Sequence, residues 1–173
     1  MKTLPLAALP LLLAACQTMV APVPASPLLE SASFEVRSWG NLVHRWTLDA
    51  SGHVDHVRDE TPFGGREKPG YQHRRTTLTT AQVAALSAAL DRVATEAARP
   101  EGCDARFTDG PYGKIAWTKA GQATAFSWNT NCSAGRDADL SAALKAADAI
   151  VDDAAMTTPV LDMLPEEGGG KGS

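Results

Sequence analysis

The stretch SFEVRSWGNLVHRWTLDASGHVDHVR, residues 33–58, decides the fold class. Its apolar residues recur at every second position, the period of strands with one buried face. Phe34, Val36 and Ser38 alternate with Glu35, Arg37 and Trp39. Leu42, His44, Trp46 and Leu48 then share one face, with Val43, Arg45 and Thr47 on the other. Asp49-Ala50-Ser51-Gly52 reads as a hairpin turn, with glycine available for a left-handed conformation. Val54 to Arg58 continues as a third strand. A long polar loop from Asp59 to Tyr71 carries Pro62, Gly64, Gly65, Pro69 and Gly70. A fourth strand, Gln72 to Leu78, follows it.

The period changes after Leu78. Thr79 and Gln82 form a capping-box pair, and Leu78 can pack on Val83 as a hydrophobic staple. Val83, Leu86, Leu90, Val93 and Ala97 line one helical face, and Pro100 and Gly102 stop the helix, which is predicted over 79–98. Ile115 and Trp117, then Phe126 and Trp128, alternate around the turn Lys119-Ala120-Gly121-Gln122 and predict a second hairpin. A second helix is predicted from about Ala138 to Ala154, capped by Asp137 or Asp139. Leu140, Leu144, Ala147, Ile150 and Val151 face its core side, with Lys145, Asp148 and Asp152 opposite. The order strands, helix, two strands, helix predicts an α+β fold: a mostly antiparallel sheet with two helices packed on one face. Residues 33–156 form this single domain, and 157–173, with Gly168-Gly169-Gly170, are expected to be disordered.

Of 173 residues, 44% are hydrophobic and 21% charged, enough apolar material for one packed core. The net charge of −4 argues against non-specific nucleic-acid binding. At the N-terminus, Lys2 precedes an apolar run from Leu4 to Leu13, which leads through Ala14 and Ala15 into Cys16. The run is too short to span a bilayer. This arrangement resembles the lipobox of bacterial lipoproteins. The resemblance implies a signal peptide at 1–15, lipid attached to Cys16 and a place in the cell envelope, facing the periplasm. Gln17 is unlike the Asp that often retains such proteins at the inner membrane, which favours the outer membrane. Residues 16–32, with Pro22, Pro24 and Pro27, then read as a tether. Outside the cytoplasm, Cys103 and Cys132 are expected to form a disulfide.

No nucleophile-elbow, zinc-protease or phosphate-loop motif occurs. His53 and His56 stand an odd number of residues apart, on opposite faces of a regular strand. Ligation of zinc by both with Asp55 or Asp59 is therefore the less favoured reading, and no metal or cofactor is expected. The long loop and the strand after it gather Phe63, Arg66, Lys68, Tyr71, Arg74 and Arg75, a local basic and aromatic set. Long loops are often functional, so these six form the candidate binding surface.

From Ser33 to Ala154 the pattern resembles emfourin-like protease-inhibitor domains. These begin with a strand like Phe34-Glu35-Val36-Arg37, followed by a helix like Thr79 to Val93, a hairpin like Lys114 to Trp128 and a short last helix. Trp39-Gly40 stands where that family often has Gly-Gly, and the long loop and the cysteine pair are departures, so no inhibitory residue is carried over. Trp117 to Ala123 followed by Cys132 also resembles the end of lipoprotein-type lysozyme inhibitors, which are all-β and lack the helix at 79–98. The expectation is a lipid-anchored envelope module that binds a protein partner without catalysis, with hydrolase inhibition a special case. The alternatives are a small metal-binding protein or enzyme using His53 and His56, and a structural envelope lipoprotein.

Overall fold

The computed structural model describes residues 29–60 and 70–165. The chain runs β1 (Leu29–Ser38), β2 (Asn41–Leu48), β3 (His53–Asp59), β4 (Gly70–Thr77), α1 (Thr80–Ala97), β5 (Tyr112–Lys119), β6 (Gln122–Asn129), α2 (Arg136–Met156) and β7 (Asp162–Pro165). All the strand pairs are antiparallel, and the seven strands form one sheet in the order β6-β5-β1-β2-β3-β4-β7. β1 to β4 are a meander. α1 then carries the chain back across the sheet, so that the β5–β6 hairpin adds beside β1. α2 takes it from β6 at one edge to β7 at the other. Its 21 residues give a length of about 31 Å, close to the width of seven strands spaced about 4.8 Å apart. The α+β class and the two helices sharing one face are as the periodicity predicts.

The core lies between the helices and the sheet. Phe34, Trp46, Leu48, Val54, Ile115, Trp117 and Trp128 from the strands meet Leu86, Leu90 and Val93 of α1 and Leu140, Leu144, Ala147 and Val151 of α2. Phe34 is its centre: Trp46 stacks on it at 5.8 Å between ring centroids and Trp128 at 5.3 Å. Trp128 reaches Phe34 across Gly113, its partner on β5. A Cβ at Gly113 would stand 2.8 Å from the indole and 1.7 Å from the Glu35 carbonyl oxygen, so only glycine fits there. The capping box forms as expected, with Thr79 Oγ1 accepting from the Gln82 amide and the Gln82 side chain accepting from the Thr79 amide.

In its architecture the structure departs from the sequence reading at four places. β1 begins at Leu29, so 29–32 are strand and not tether; Ala32 pairs with both Leu48 and Trp117. Residues 162–165, expected to be disordered, form β7 on the edge of β4, with Tyr71 opposite Leu164. The domain thus exceeds 33–156 at both ends. α2 starts at Arg136 with Gly135 as its N-cap, at φ +85°, and no side chain caps it. Asp137 and Asp139 lie in its first turn, where they complement the positive end of the helix dipole. Finally, Leu42 leaves the face of His44 and Trp46. The ladder pairs Val36 with His44 but Arg37 with Leu42, so Val43 is an inserted residue. Val43 packs on the main core, while Leu42 joins Val57, Tyr71 and Leu164 in a separate cluster that contains no helical residue.

Cys103, after α1, is bonded to Cys132, after β6, with S–S 2.09 Å. Hydrogen bonds from Phe107 to Asn131 and from Ser133 to Ala105 line up the two segments around it. Arg136 ties in the helix ends, donating to the carbonyl oxygens of Glu96 (3.0 Å) and Ala97 (2.8 Å) at the C-terminus of α1. Replacing both cysteines with serine should lower the unfolding free energy by about 3–4 kcal/mol, the chain-entropy value for a loop of this length. Urea unfolding of the two proteins measures the difference.

Candidate functional site

α2 lies on the sheet through a polar layer. Asp148 and Asp152 are four residues apart, on the same side of the helix as Leu144. The Asp148 carboxylate accepts from Trp46 Nε1 at 2.8 Å and pairs with His44 Nε2 at 2.9 Å. Asp152 accepts from Arg58 Nη1 at 2.6 Å and pairs with His56 Nε2 at 3.0 Å. The two imidazoles stack with centroids 6.1 Å apart. His56 is fully buried, and Arg74, its partner on β4, donates Nε to the Thr158 carbonyl oxygen just past α2. The two aspartates therefore face the sheet, and their expected place on the solvent side of α2 is corrected. Burial alone would raise the Asp152 carboxyl; the hydrogen bonds from His56 and Arg58 and the charge of Arg58 outweigh it and hold the group well below its ordinary value.

The loop-bearing end of the sheet has a different character. β1 leaves, and β2 enters, through the turn Trp39-Gly40, with φ +53° and +83°. Two consecutive positive φ values make the tight hairpin whose twist matches the strands, and they hold Trp39 at its tip, 71% exposed. A bulky residue at positive φ is uncommon. The turn is braced by Arg37, which donates to the Gly40 carbonyl oxygen, and by Tyr112, whose hydroxyl accepts from the Gly40 amide at 3.2 Å. β3 ends and β4 begins at this same end, as do β6 and β5. Tyr112 is exposed beside this turn, and Phe107 is exposed beyond the end of β6, next to Gly110 and Asn131. A cleft of about 460 Å³ opens next to Tyr112, lined by Glu35, Arg37, Gly113, Lys114, Ser127 and Trp128.

The residues singled out from the sequence divide. Phe63, Arg66, Lys68 and Cys16 lie outside the described residues. Tyr71 and Arg74 are 6% and 7% exposed and belong to β4, so they are corrected from contact residues to interior ones. The strand alternation that turns Arg74 inward, opposite His56, is the reason. Arg75 is exposed and paired with Asp55 at 2.7 Å. His53 is exposed, bonded to Thr77 Oγ1, while His56 points into the core, so the two do not converge on one ion. Cys103, Cys132 and Asp137 come within ligand distance of one another, but the sulfurs are joined as a disulfide and offer no thiolate. Tyr112 and Phe107 were not anticipated; Tyr112 follows Gly110-Pro111, a strand-start signal that could have pointed to it. Neither the protein-family models nor the curated proteins include a match to this chain.

The Asp152 pairing has a pH signature. Its depressed folded pKa contributes stability that is present above the unfolded pKa of about 4 and is lost as pH falls through the folded value. Asp152→Asn should cost about 1.5–3 kcal/mol at pH 7. The cost should shrink as pH falls below about 4, where the unfolded carboxyl takes up its proton while the folded one is still held ionised. Thermal unfolding of both proteins across that range provides the comparison.

Proposed function

We propose that this chain is a lipid-anchored binding module of the bacterial cell envelope that engages a protein partner, without catalysis, through the end of the sheet bearing Trp39. The observation that carries this reading is the direction of β1. The chain enters β1 at Leu29, opposite Lys119 beside the β5–β6 turn, and leaves it at Ser38 for Trp39. A tether from a lipid on Cys16 would reach the domain at the first end. The ten-residue strand then carries the chain about 33 Å from that attachment point to Trp39. Exposed Trp and Tyr on a braced turn are good anchors for a protein interface, because a rigid ring loses little entropy on binding. A bulky residue kept at positive φ fits the same reading, since strain of this kind concentrates at functional positions. Asp59, the last residue of β3, and Gly70, the first of β4, stand at this end as well.

The resemblance to emfourin-like domains makes an envelope hydrolase the favoured partner. Its support is the strand, helix, hairpin and helix succession. The non-catalytic part of the reading is supported by His44, His56, Asp148 and Asp152, which hold α2 to the sheet.

A photo-reactive residue at Trp39 or Phe107 should yield the same discrete protein adduct in intact envelopes, and one at Ala50, in the turn at the opposite end, should not. Equal adducts from Ala50 would contradict the orientation. Trp39→Ala should cost about 2 kcal/mol of binding to the captured partner, roughly 30-fold in affinity. It should shift folding stability by no more than about 0.5 kcal/mol. Cys16→Ser should abolish lipid attachment, read by mass spectrometry of the membrane fraction.

A further inference from the structure

The two edges of the sheet are built differently. β7 is four residues long, carries Asp162 and ends in Pro165, the devices that blunt an edge against pairing. β6, at the other edge, is eight residues long and reads Gln122-Ala-Thr-Ala-Phe-Ser-Trp-Asn129. It has no charge and no proline, whereas each of the other six strands carries at least one charged residue. Among the described residues it pairs only with β5, and five of its eight residues are exposed. A long, exposed, uncharged edge leaves a row of backbone donors and acceptors open to another strand.

We infer that β6 is a self-association edge: two copies of this chain pair β6 with β6 in antiparallel fashion about a two-fold axis. Such pairing is self-complementary. With Phe126 opposite its own counterpart on the two-fold, Ala123 of one copy lies opposite Asn129 of the other, and Ala125 opposite Ser127. Because the strand is uncharged, no like charges face each other across the seam, the arrangement that would be destabilising. A charged foreign strand would find no counter-charge along it. The ends of the strand are complementary as well. At the first, the Glu30 carboxylate accepts from the Gly121 amide at 2.7 Å, and Lys119 lies beside it, paired with Asp91. At the other end, beside Asn129, Arg106 and Glu101 line a cleft of about 410 Å³ with Trp128 and Leu140, and neither has a side-chain partner among the described residues. The two-fold brings the first end of each copy to the second end of the other. Glu30 then approaches Arg106, twice over. On the helix side the half-exposed ring of Phe126 gains cover from its symmetry mate.

This inference is independent of the surface around Trp39. The test uses the full chain. Ala125→Cys is exposed and near the two-fold, so a short bismaleimide should link two copies in intact envelopes; Ala50→Cys, in the distant β2–β3 turn, should give little. Sedimentation of the purified full chain should show a concentration-dependent dimer. Ala125→Lys should weaken it about ten-fold or more, with the circular dichroism spectrum and thermal midpoint kept. A protein that stays monomeric, a dimer unaffected by Ala125→Lys, equal linking through Ala50→Cys, or linking of Ala125→Cys to a different protein alone would each overturn the proposal.

Discussion

Asp148 and Asp152 reach from α2 onto the sheet and grip it at two neighbouring points, and the position of the longest helix depends on that grip. α2 is the connection between the two edges of the sheet. Apart from Ser141, its other buried residues are Leu, Ala and Val, whose contacts are strong in sum but non-directional. Apolar packing alone would tolerate a helix shifted by one turn, since Leu140, Leu144 and Ala147 recur at helical spacing. The carboxylates do not tolerate it. A one-turn slide would place Asp152 over His44 and Trp46 and leave His56 and Arg58 facing no carboxylate. An unpaired polar group in that position costs more than the pair contributes, and that asymmetry makes the layer specify a register.

The rest of the fold follows from this placement. With α2 fixed, Thr158 comes over Arg74, and the chain turns back in time for β7 to pair with β4. At its other end, Arg136 reaches the last carbonyls of α1, and the disulfide closes beside it. The helices and the disulfide-bonded segment thereby support one end of β5 and β6. The Trp39 turn, braced by Tyr112 at the start of β5, inherits that rigidity. A binding surface on a braced turn loses less entropy on association than one on a long flexible loop.

Much of the architecture is legible in the chain because it rests on period. The alternation from Ser33 to Arg58 and the capped helix at Thr79 are local signals, and both elements form where they are read. The α+β class follows from their order. What eludes a sequence reading is non-local. The inserted Val43 leaves no trace in a strand that alternates plausibly through Leu42. β7 is four residues with a proline, and only its pairing with β4 makes it a strand. Asp148 and Asp152 look like solvent-facing residues because charge on a helix usually is. Their role emerges only when His44 and His56, alternating on two adjacent strands, are placed beneath them. Arg74 and Tyr71 were legible as a basic, aromatic run but not as alternating strand positions, since that depends on where β4 begins. Of the proposed contact surface, the sequence marks Trp39 through the glycine that follows it, whereas Tyr112 and Phe107 join it by topology.

A double-mutant cycle on His44→Ala and Asp148→Ala, followed by urea unfolding at neutral pH, tests the polar layer most directly. If the pair sets the position of α2, the two substitutions are coupled, with an interaction energy of about 1–3 kcal/mol. Losses that add to within about 0.3 kcal/mol would show that His44 and Asp148 do not act as a pair in positioning α2 and would contradict the account.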